Sequence, residues 1–125
     1  MVNADMNMEA IISAQRRIQE LKADAQIEGY TVSESSERDL LRFLDEYVFT
    51  QRPFITVLDN GNLRALWKNE KGENLGIQFL GKDQVQYVFF AYRADQDFIA
   101  RVSGRDSLTY IGRHIEALGL ERLIS

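Results

Sequence analysis

The feature that most constrains this chain is a run of four closely spaced turn signals in its second half. They are Asp59-Asn60-Gly61-Asn62, Glu70-Lys71-Gly72-Glu73, Gly81-Lys82-Asp83 and Ala94-Asp95-Gln96-Asp97. Asn-Gly is the strongest short hairpin signal, because both residues tolerate positive φ. Between the turns lie short segments rich in β-formers: Phe54 to Leu58, Leu63 to Asn69, Asn74 to Leu80, Gln84 to Arg93 and a shorter one, Phe98 to Val102. Connections this short join antiparallel neighbours, since a parallel pair needs a long crossover. The second half therefore reads as a five-stranded antiparallel meander.

Helical spacing brackets this sheet. From Met8 to Ile27, the apolar residues Ile11, Ala14, Ile18, Leu21 and Ala25 follow an alternating three-four spacing. That is the seam of a short heptad helix, suited to packing on its own domain or against a second chain. Gly29 suits its C-terminal cap, and residues 1–7 read as a loose terminus. Ser36 and Asp39 have the spacing of a reciprocal cap, ahead of the stripe Leu40, Leu41, Leu44, Tyr47 and Val48, with Pro53 as the stop. Ser103-Gly104-Arg105-Asp106 leads into a last helix, capped by Asp106 or Ser107, with the stripe Leu108, Ile111, Ile115 and Leu118 and a terminal Gly119. The expected order is ααβββββα: an α+β fold in which two N-terminal helices, the meander and a C-terminal helix make a two-layer sandwich. At 125 residues, 1–125 is expected to be a single domain.

One strand departs from the alternation expected of a sheet covered on one face. Val85, Tyr87, Phe89 and Ala91 share one side, while Val88, Phe90 and Tyr92 make the other side apolar too. On the neighbouring strand Leu63, Ala65 and Trp67 face one way, and Arg64, Leu66 and Lys68 the other. The second sheet face should thus carry an apolar centre with a polar surround. A helix within the monomer, a second subunit or a ligand could cover it. Large bare apolar patches are uncommon on monomers.

Composition closes off several chemistries. The chain has no cysteine and one histidine, His114. Disulfides, thiolate catalysis and the usual structural zinc sites are excluded, and no metal or cofactor is expected. A base such as His114 needs an aligned partner and a pocket, and the sequence displays neither. Glu70 with Glu73, and Asp95 with Asp97, read as solvated turn acids. Trp67 and the aromatic strand residues read as core. No stretch is long and apolar enough to span a membrane, and the polar, acidic start does not resemble a signal peptide.

The net charge of −4 is unevenly spread. Residues 1–50 hold ten acids and five bases, and residues 51–125 nine acids and ten bases. Such a balance argues against a duplex nucleic-acid binder. The best anion-binding candidate is Arg101, Gly104 and Arg105, where free N–H groups at the start of the last helix would attract an anion.

Four stretches also carry a resemblance: Gly61 to Lys68, Gly76 to Gly81, Val85 to Phe90 and Arg101 to Leu108. Together they resemble an uncharacterised group of short bacterial proteins with the pattern NLRAxW…LGxQFLG…QYVxF…RVxGRD. The resemblance implies a bacterial, cytoplasmic protein and brings no activity with it. It groups Arg64, Trp67, Gln78, Gln86, Arg101, Gly104 and Arg105 as one candidate ligand or partner patch. No nucleophile–base–acid set is visible, so a non-enzymatic interaction protein is expected, binding a protein partner or itself as a homodimer. A small-ligand or anion-binding domain is the alternative.

Overall fold

In the computed structural model, which describes residues 2–46, 51–93 and 97–124, the element order is that expected from the sequence. Two helices, α1 (Val2–Glu28) and α2 (Glu34–Glu46), precede five strands: β1 (Phe54–Val57), β2 (Leu63–Lys68), β3 (Asn74–Gly81), β4 (Gln84–Arg93) and β5 (Phe98–Ser107). A short helix α3 (Ile111–Ala117) and a 3-10 turn (Glu121–Leu123) follow. The strands pair in sequence order, every neighbour antiparallel.

All three helices lie on one face of the sheet. Ile18 and Leu21 of α1, Leu40, Phe43 and Leu44 of α2 and Ile111 and Ile115 of α3 join a single buried cluster. The strands contribute one alternating set to it: Ile55; Leu63, Ala65 and Trp67; Leu75, Ile77 and Phe79; and Val85, Tyr87, Phe89 and Ala91. The Phe43 ring meets Trp67 and Phe79 at 6.0 and 5.9 Å between centroids, locking α2 onto the middle of the sheet. Each such large apolar side chain stabilises the fold by roughly 1.5–3 kcal/mol on burial. The heptad seam of α1 is spent within the monomer: Ala14, Ile18, Leu21 and Ala25 are all buried.

Several local expectations are corrected. Helix α1 begins at Val2, so residues 2–7 continue the helix. Helix α2 is capped by Ser33, whose Oγ accepts the Ser36 N–H at 3.2 Å. Ser36 sits one turn too far in to cap. Its buried Oγ instead donates to Phe79 O at 2.6 Å and accepts Leu63 N–H at 2.8 Å, tying α2 to β3 and β2. Asp39 accepts the Asp83 N–H at 2.9 Å, so the expected reciprocal cap becomes a clasp on the β3–β4 turn. Tyr47, Val48 and the turn residues Ala94, Asp95 and Gln96 lie outside the described residues.

The turns divide by type. In the Asn-Gly turn only Gly61 has positive φ, at 87°, and it follows a Leu58 O to Gly61 N–H bond of 2.9 Å. That is the longer hairpin loop with a glycine bulge rather than a two-residue turn. Lys82 and Asp83, with φ of 55° and 65°, form the two-residue turn instead. Gly29 and Gly119 close α1 and α3 as expected. The Tyr30 N–H reaches back to Ala25 O, and the Leu120 N–H to Ile115 O, both at 3.0 Å.

Candidate functional site

With the helices gathered on one side, the other face of the sheet is left open, and the register orders it into rows across the strands. One row is Thr56, Arg64, Gln78, Gln86 and Arg105. The central row is Phe54, Leu66, Gly76, Val88 and Ser103. The third is Lys68, Asn74, Phe90 and Arg101, beyond which lie Tyr92 and Ile99. Four cations thus stand at the corners of a quadrilateral: Arg64 and Lys68 on β2, Arg105 and Arg101 on β5. The corners are about 13 Å apart along the strands and about 14 Å apart across them, from standard strand dimensions. Val88 lies inside it, with Leu66 and Phe90 on two of its edges, each half-buried. Gly76 leaves room for the Arg64 guanidinium to lie over the central row: a Cβ there would come 3.1 Å from an Arg64 guanidinium nitrogen and 3.3 Å from Val88 O.

The electrostatics of this face differ from those of the helical layer. No outward position of the five strands is an acid. None of the four corner cations makes an ion pair with a described residue. Arg101 donates to Ser103 Oγ at 3.1 Å, and the Lys68 ammonium lies 5.3 Å from the centroid of Phe54. On the helices, by contrast, Arg17 pairs with Glu20, Lys22 with Glu37, and Arg42 with Glu46 and Asp83.

Of the seven residues grouped from the sequence, the structure brings five together. Arg64, Gln78, Gln86 and Arg105 are successive partners in one row, and Arg101 is two positions along the same face. Trp67 and Gly104 belong to the inner face. Trp67 is 2% exposed and donates its indole N–H to Gln51 O at 3.1 Å. Gly104 sits opposite Tyr87, whose hydroxyl would lie 2.8 Å from a Cβ there, so this glycine makes room for a core ring.

The expected anion site at the start of the last helix is not formed. Gly104 and Arg105 are inside β5, which runs to Ser107, and α3 starts only at Ile111, with no side-chain cap. Leu66, Lys68, Val88 and Phe90 were not in the grouped patch. Their signal was the broken alternation of β4 and the sidedness of β2.

Two further titratable clusters lie away from the open face, around Glu73 and around His114. Glu73, expected in a solvated turn, is fully buried. Burial pushes its carboxyl up, but bonds from the Tyr92 N–H, the Asn69 amide and the Arg122 guanidinium outweigh this and hold it below the usual carboxylate range. His114 has a partner invisible in sequence: its Nε2 lies 2.7 Å from Asp106 Oδ2, and its ring stacks on Tyr87 at 4.9 Å. The imidazole bond, with help from the Ser107 N–H, holds Asp106 below its ordinary value. Alternation along β5 sends the Ser107 side chain to the opposite face, so the imidazole is not offered that hydroxyl. Among the described residues, no group of three or more His, Cys, Asp or Glu is placed to hold a metal ion, and no helix is long and apolar enough to cross a membrane.

Five cavities among the described residues include none of Arg64, Gln78, Gln86, Arg101 and Arg105 in their walls. One of about 470 Å³ lies beside the β2–β3 turn, lined by Arg52, Lys68, Glu70, Lys71 and Arg122 with the core residues Trp67 and Leu123. No family model, no curated protein and no solved structure matches this chain.

Proposed function

We propose that this chain is a non-enzymatic interaction protein that docks a different protein on its open sheet face. The observation that carries this reading is the placement of all three helices on one face, which leaves Leu66, Val88 and Phe90 as an apolar centre on the other. A small-molecule site would need a concavity, and none of the five cavities described includes Leu66, Val88, Phe90 or the three arginines of the face. A shallow apolar centre with a polar rim is the anatomy of a protein interface. A second copy is a poor occupant. Face-to-face pairing would oppose four unpaired cations to four more, and like charges across an interface cost several kcal/mol. The seam of α1 is closed to a partner helix because its residues are already buried.

Val88→Asp places a carboxylate at the centre of the face without touching the inner core. Tagged wild-type chain purified from its own cells should bring down a partner that Val88→Asp loses, while both melt at the same temperature. Ile12→Asp, on the exposed side of α1, should keep the partner. A wild-type chain that comes out alone, or a Val88→Asp chain that keeps its partner, contradicts the proposal.

A further inference from the structure

We infer that the occupant of the open sheet face is an acidic amphipathic segment of the partner, laid along the central row with its carboxylates reaching the cations on either side. This inference rests on the docking reading above and adds the partner's chemistry to it.

Three observations point the same way. The first is charge: a chain with 19 acids and a net charge of −4 keeps every one of those acids off the outward positions of its strands. The second is pairing. On the helices Arg17, Lys22 and Arg42 have acid partners and Arg16, Arg38 and Arg113 form no ion pair with a described residue, whereas on the open face none of Arg64, Lys68, Arg101 and Arg105 is matched by a described acid. An unmatched cation beside an apolar surface is positioned to meet an anion from outside, where partial desolvation strengthens the attraction. The third is spacing. The two cation-bearing rows stand about 13 Å apart. A helix with its side chains is about 10–12 Å across, so its apolar stripe can sit on Leu66 and Val88 while flanking acids reach both rows. The five strands offer a track of about 19 Å, room for about 13 helical residues.

Single-stranded nucleic acid shares the negative charge, but it needs aromatic platforms along its path. The face carries Phe54, Phe90 and Tyr92, but they stand at its β1 edge and along one end, and the middle of the path is Leu66, Gly76 and Val88. A protein segment fits this apolar floor better.

The test uses fluorescence anisotropy with a labelled amphipathic peptide of about 18 residues, carrying a leucine stripe flanked on both sides by glutamates. A counterpart with lysines in place of the glutamates and a labelled oligothymidylate are the comparison probes. The glutamate peptide should bind at least about tenfold more tightly than the lysine peptide, and its binding should weaken as salt shortens the screening length. Lys68→Glu with Arg101→Glu should weaken it about tenfold, while Arg16→Glu with Arg38→Glu, on the helical layer, should leave it unchanged. Equal binding of both peptides, or of neither, overturns the inference. So does tighter binding of the oligothymidylate, or a dimer in sedimentation that the Lys68→Glu/Arg101→Glu chain loses. A cellular partner that depends on Val88 but stays bound to Lys68→Glu/Arg101→Glu overturns the acidic segment and leaves the docking face standing.

Discussion

Glu73 shows how misleading a turn acid can be in sequence. Its neighbours Lys71 and Gly72 are exposed, yet its own side chain turns inward and gathers the Tyr92 N–H, the Asn69 amide and Arg122. Nothing in the spacing of residues 69, 73 and 122 announces this, because the contacts depend on where the chain end folds back. The same holds for His114 and Asp106, which are eight residues apart across the end of a strand and the start of a helix. Because the Glu73 carboxyl is held below its unfolded value, its contribution is present above the unfolded pKa near 4.3 and is lost as pH falls through the lower folded value. Wild-type melting temperature should therefore drop on acidification below about pH 4.5. Glu73→Gln should cost about 1–3 kcal/mol near neutral pH, by leaving bonds unmade, and should flatten that acid limb. Thermal melts from pH 3 to pH 7 check both. An acid limb as steep in Glu73→Gln as in wild type would show that this carboxylate does not govern it.

At the scale of elements, periodicity carried most of the information. Four turn signals specified the strands and their antiparallel order, and the spacing of Ile18, Leu21, Leu40 and Leu44 identified both N-terminal helices. The end of β5 was not legible: Ser103-Gly104-Arg105-Asp106 has the composition of a loop and helix cap. In the sheet, Gly104 is there because Tyr87 needs the space, and pairing with β4 extends the strand to Ser107. Tertiary pairing overrode local propensity. Ser36 is a second such case, since a serine near a helix start reads as a cap. Its hydroxyl instead serves a β3 carbonyl and a β2 N–H inside the core. Ser36→Ala removes both bonds and strands two buried backbone groups, so we expect a loss of about 2–4 kcal/mol. Ser33→Ala, at the true cap, should cost only about 1 kcal/mol. Urea unfolding of the two variants decides between the assignments, and a larger loss in Ser33→Ala would reverse them.

For the whole molecule, the unequal charge of the two halves takes on a spatial meaning. The acids of residues 1–50 belong to the helical layer, where Glu20, Glu37 and Glu46 pair with Arg17, Lys22 and Arg42, and Arg64, Arg101 and Arg105 of the second half stand on the opposite face without a described acid partner. Row geometry, which no linear spacing displays, turned Arg64, Gln78, Gln86 and Arg105 into neighbours. The same geometry separated Trp67 and Gly104 from them. On the proposed reading this face, and not the helices, receives an acidic partner segment. Amide chemical-shift mapping during titration with the glutamate-flanked peptide tests it most directly. Shifts should concentrate at Arg64, Leu66, Val88, Phe90, Arg101 and Arg105, with α1 and the outer turns of α2 unmoved. Shifts confined to the helices, or a spectrum that saturating peptide leaves unchanged, would contradict it.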